Sequence, residues 1–96
     1  MFTEVNTHWG IEYLNSKIHI RNYAGPNHII SYWNLRKLES NLIDLFTGNQ
    51  KFSLDYKYPL LTITNVNEND ILIINNIIQK NKFKKYMNET TFIRFI

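Results

Sequence analysis

Tyr32-Trp33-Asn34-Leu35-Arg36-Lys37-Leu38-Glu39-Ser40-Asn41-Leu42-Ile43-Asp44-Leu45-Phe46-Thr47 is the one stretch of this chain that reads plainly as a helix. Leu35, Leu38, Leu42, Leu45 and Phe46 recur at spacings of three and four, and Arg36, Lys37, Glu39, Asn41 and Asp44 fill much of the remaining wheel. Ser31 or Asn34 is of the type that caps a helix start. Thr47-Gly48-Asn49 ends the pattern, with Gly48 suited to the left-handed conformation common just past a helix. Trp33 falls in the first turn and reads as an anchor onto a sheet. A helix with one apolar face must bury it, and the flanking segments show against what.

Those segments are strand-like on both sides. Trp9 to Leu14 and Lys17-Ile18-His19-Ile20-Arg21 are separated by Asn15-Ser16, the pattern of a tight hairpin. In the second run Ile18 and Ile20 share one face, and Lys17, His19 and Arg21 the other. Ala24-Gly25-Pro26-Asn27 is a turn, after which His28-Ile29-Ile30 reads as extended. Beyond the helix, Phe52, Leu54 and Tyr56 alternate with Lys51, Ser53 and Asp55 until Tyr58-Pro59 breaks the run. Leu60 to Val66 alternates again, and Asn67-Glu68-Asn69-Asp70 is a polar turn. Ile71 to Ile78 is ambiguous, because Ile71, Ile74 and Ile78 also fit a helical face. Its β-branched density and the preceding Asn cluster favour a strand. Thr90 to Ile96 reads as a last strand. The expected fold is α+β, with one strongly curved antiparallel sheet of about six strands and one amphipathic helix at 32–47 packed on one face.

Composition agrees with a sheet-rich domain. Asn and Ile occur fourteen times each and Ala24 is the only alanine, which is poor helix and good strand composition. Ninety-six residues make a single domain, 1–96, burying about 65% of the surface that the unfolded chain exposes. No apolar run reaches the ~18–20 residues of a membrane span. The start, Met1-Phe2-Thr3-Glu4, lacks the features of a secretory signal, so the expectation is a cytoplasmic protein without a membrane partner. Asn88-Glu89-Thr90 is then a chance sequon. The net charge of +3 is uneven, since residues 80–96 carry a net +4 and residues 1–79 a net −1. A nearly neutral body is not that of a protein built all over for phosphate.

Reactive constellations are missing from the sequence. His8, His19 and His28 form no His-x-x-x-His pair, and with no cysteine a metal site would need three distant ligands to converge. The acids Glu4, Glu12, Glu39, Asp44, Asp55, Glu68, Asp70 and Glu89 are scattered singly. Ser16, Ser31, Ser40 and Ser53 lack a Gly-x-Ser-x-Gly setting, and Gly10, Gly25 and Gly48 are too isolated for a phosphate loop. The expectation is a protein that is not an enzyme and carries neither cofactor nor metal.

Two features point to binding. Aromatic residues make up 15% of the chain, more than so small a core can hide with every hydroxyl satisfied. Trp33, Tyr56 and Tyr58, together with the cluster Lys80, Lys82, Lys84 and Lys85, are the expected contacts to a protein partner. The alternative is a small nucleic-acid-binding module in which Lys17, Arg21, Lys82, Lys84 and Lys85 track phosphates while Phe83 stacks on a base. The apolar end, Phe92-Ile93-Arg94-Phe95-Ile96, would offer an edge to a partner strand or a second copy. The order of strands, one helix and a strand meander is similar to that of many small bacterial and phage proteins, immunity proteins and inhibitors of host defence systems among them. That analogy implies a non-catalytic protein that acts by occluding a macromolecular partner.

Overall fold

The computed structural model describes residues 3–6, 9–23 and 28–80. Five strands, β1 (Thr3–Asn6), β2 (Trp9–Leu14), β3 (Lys17–Asn22), β4 (Lys51–Asp55) and β5 (Leu60–Thr64), form one antiparallel sheet in the order β1-β2-β3-β5-β4. Two helices, α1 (His28–Ile43) and α2 (Asp70–Lys80), accompany it. The α+β class and the single antiparallel sheet are as read from sequence, whereas six strands and one helix are not. The expected strand at 90–96 lies outside the described residues.

Strand register explains the core. Ile11, Ile20, Leu61 and Leu54 stand side by side across β2, β3, β5 and β4, and Tyr13, Ile18, Ile63 and Phe52 form a second such row. The isoleucines of β3 and Leu61 and Ile63 of β5 are fully buried. α1 covers these rows with Leu35, Leu38 and Leu42, and α2 adds Ile74 and Ile78 to the same cluster. Each such side chain contributes about 1.5–3 kcal/mol by leaving water. The sheet's other face presents Glu12, His19, Thr62 and Ser53 in one row and Leu14, Lys17, Thr64 and Lys51 in the next.

The hairpin at Asn15-Ser16 is as expected. Both residues have positive φ (53° and 62°), and Leu14 pairs with Lys17 across a two-residue loop. Val66 N donates to Ser16 O (3.1 Å), which ties this turn to the chain entering α2.

The helices depart from the sequence reading in definite ways. α1 begins at His28, so His28-Ile29-Ile30 is helical rather than extended and the span 32–47 shifts toward the N-terminus. Ser31 and Asn34 are therefore not caps. They sit inside the helix and are buried, and Asn34 Nδ2 donates to Asn22 Oδ1 at 3.0 Å across the helix–sheet seam. α1 closes at Ile43, after which Leu45 N and Phe46 N both donate to Leu42 O (3.0 and 2.9 Å). This tightened turn sends Phe46 into the core, stacked on Phe52, and leaves Leu45 half exposed, outside the apolar stripe assigned to it. Gly48 does not adopt the left-handed conformation. Its N–H donates to Gln50 Oε1 (2.9 Å), which lies only 3.0 Å from where a Cβ would sit.

Ile71 to Ile78 is helix, not strand. The Asn cluster read as a hairpin loop is a reciprocal cap: Asn67 Oδ1 accepts from Asn69 N (3.0 Å), and Asp70 Oδ2 accepts from Asn67 N (3.1 Å). Helical spacing then buries Ile74 and Ile78 while Leu72 is 69% exposed. In a strand Leu72 and Ile74 would share a face. Asp70 in the first turn and Lys80 in the last both complement the helix dipole.

Candidate interaction surface

α1 turns its leucines to the sheet, so the residues between them project outward. Trp33 is one of these and is 60% exposed. It therefore does not anchor the helix to the sheet. Its neighbour Tyr32 is half-buried and meets Trp33 edge-on, with ring centroids 5.5 Å apart and planes at 76°. On Tyr32's other side stands Tyr56, at 4.9 Å and 67°. Arg36, one turn along α1, holds its guanidinium 6.0 Å from the Tyr32 ring centre and directs Nη1 toward the Tyr32 hydroxyl at 3.5 Å. Trp33 and Tyr56, far apart in sequence, are thus joined through one shared ring. Edge-to-face packing fixes these rings relative to one another, which lowers the entropy that a partner must remove on docking.

Tyr56 and Tyr58 belong to the four-residue loop between β4 and β5. Lys57 N donates to Asp55 Oδ1 at 2.8 Å, a side-chain-closed turn that lifts the loop out of the sheet. Pro59 is buried and cannot join the ladder, which ends the loop. Tyr58 is 74% exposed, more than any other large apolar side chain among the described residues.

Lys80 is exposed at the end of α2, and Lys82, Phe83, Lys84 and Lys85 lie outside the described residues. Lys17 and Arg21 are exposed on the sheet face turned away from the helices, so the structure does not join them to the aromatic group. Lys51, which the sequence reading did not single out as a contact, shares that face through Thr64. Glu12 and Asp55 are there too, so the charge is mixed. None of the paired strand residues of β2–β5 on this face is Phe, Tyr or Trp.

Tyr32 and Arg36 also escaped the sequence reading. The signal was present, since Tyr32 adjoins Trp33 and Arg36 follows Tyr32 by one turn, the spacing at which helical side chains meet.

For chemistry, the most suggestive group is His19, whose Nδ1 lies 3.1 Å from Thr62 Oγ1 with Glu12 opposite it in register. The three side chains stand on the outer surface of an antiparallel sheet, where such pairs are ordinary cross-strand contacts. Among the described residues no three His or acidic side chains come together as a metal site would require. No described helix is long and apolar enough to cross a membrane. Compared with known protein families, curated proteins and solved structures, the chain matches none.

Proposed function

We propose that this chain is a non-catalytic binding protein that occludes a protein partner through the Tyr32–Trp33–Tyr56 surface. The observation that carries the reading is a tryptophan, 60% exposed, set in a group of mutually braced aromatic rings with an arginine beside them. Trp, Tyr and Arg are the residues that dominate binding energy at protein interfaces. An inhibitor of a host defence system, or an immunity-type protein, is the class this fits. Support for that class is the want of a reactive centre in the sequence, a fold-level analogy whose one-helix order of elements α2 departs from.

The test compares what wild-type protein and its Trp33→Ala and Tyr32→Ala variants retain from a lysate of the host or of its infecting phage. A protein held by wild type and bound at least ~30-fold more weakly by Trp33→Ala supports the reading, that being the ~2 kcal/mol of a hot spot. Equal retention by wild type and both variants sinks it. The nucleic-acid alternative, through Lys17, Arg21, Lys82, Phe83, Lys84 and Lys85, makes the opposite forecast. Retention on heparin or mixed RNA would fall by orders of magnitude from low to moderate salt, and Lys82→Glu, Lys84→Glu and Lys85→Glu together would abolish it. We favour protein over nucleic acid because the described open sheet face mixes acids with its bases and its paired strand positions carry no ring for a base to stack on.

A further inference from the structure

Among the described strands β4 ends the sheet and pairs with β5 alone, so its outer edge carries a row of backbone donors and acceptors. Natural edges are usually defended by a lysine, which repels an identical copy. Here the defence is cancelled, because the strand reads Lys51-Phe52-Ser53-Leu54-Asp55 and is complementary to its own reverse. From this we propose that two copies of the chain pair antiparallel through β4, about a two-fold axis at Ser53, to make one continuous sheet.

In that register Lys51 of each protomer faces Asp55 of its partner and Phe52 faces Leu54. Ser53 faces Ser53. Residues directly opposite share a face, so the exposed Lys51, Ser53 and Asp55 stay together on the open side. Phe52 and Leu54, half-buried in one copy, extend the apolar rows across the junction. Sliding the pairing by two residues either way loses both ion pairs, so the charges select one register.

The inference does not depend on the occlusion reading and stands if that reading fails.

Charge swapping tests it on the full chain by sedimentation at rising protein concentration. Wild type is expected to dimerise. Lys51→Asp creates two Asp–Asp pairs and Asp55→Lys two Lys–Lys pairs, and each variant alone should dimerise about tenfold or more weakly. Mixing the two restores both opposite-charge pairs, so a heterodimer should form where neither variant self-associates. Its formation also shows that both variants are folded, although Asp55→Lys loses the bond to Lys57 N. A monomer at every concentration overturns the proposal, and so does a dimer that ignores both charge reversals or a mixture that fails to pair.

Discussion

Single side chains in this fold separate into those that hold it and those that it displays, and exposure sorts them better than hydrophobicity. Leu38 and Trp33 lie on one helix, yet Leu38 is fully buried and Trp33 is 60% exposed. Leu38→Ala should cost about 2–5 kcal/mol in urea unfolding, as deletion of a packed leucine does. Trp33→Ala should cost under about 1 kcal/mol, because little packing is lost at an exposed site. A large loss at Trp33 would return it to the anchoring role that its place in the first turn suggested. The buried amide pair is a third case. Asn34→Ala removes the donor to Asn22 Oδ1 inside an apolar seam and should destabilise by about 1–3 kcal/mol, more than its lost volume alone predicts. From sequence Asn34 read as a cap and Asn22 had no role assigned. What gave them a buried role was the contact between α1 and β3, which no local pattern encodes.

Elements were legible where a period ran unopposed and obscure where one signal carried two meanings. Strands β2, β3, β4 and β5 and the Asn15-Ser16 turn followed from alternation and turn chemistry. α1 was found, but its start was displaced because Ile29 and Ile30 are β-branched and follow a turn, which suits a strand as well as a first helical turn. β1 is short and was not anticipated. α2 was misread because Asn-rich loops serve both hairpins and helix caps, and eight of eleven residues from Asp70 to Lys80 are poor helix formers by type. The deciding detail, Asn67 and Asp70 capping each other at a spacing of three, was in the sequence but outweighed by β-branched density. Asn67→Ala should therefore destabilise α2 by about 1 kcal/mol, seen as a lower thermal midpoint. A sharper check uses the face difference. Leu72→Glu should leave folding intact, whereas Ile74→Glu should unfold the chain, and equal tolerance of both would contradict a helix here.

At the scale of the molecule, one apolar cluster joins the sheet and both helices, and the proposed function rests on what projects from it. Sequence supplied the list of exposed aromatics but not their meeting, because Tyr32 and Tyr56 touch only once the crossover from β3 to β4 brings the β4–β5 loop beside α1. One shared core also means that no element should melt alone. The two tryptophans make this measurable, since Trp9 is buried on β2 and Trp33 is exposed on α1. Trp33→Phe leaves Trp9 as the sole indole reporter of the sheet, while far-ultraviolet circular dichroism reports mainly the helices. Denaturant curves from the two should coincide. Adding Ile74→Ala, at the opposite end of the chain from Trp9, should move both curves together by about 2–4 kcal/mol with unchanged slope. If the helical signal shifted and the Trp9 signal stayed in place, α2 would be an appendage with its own stability, and the core described here would have to be drawn without it.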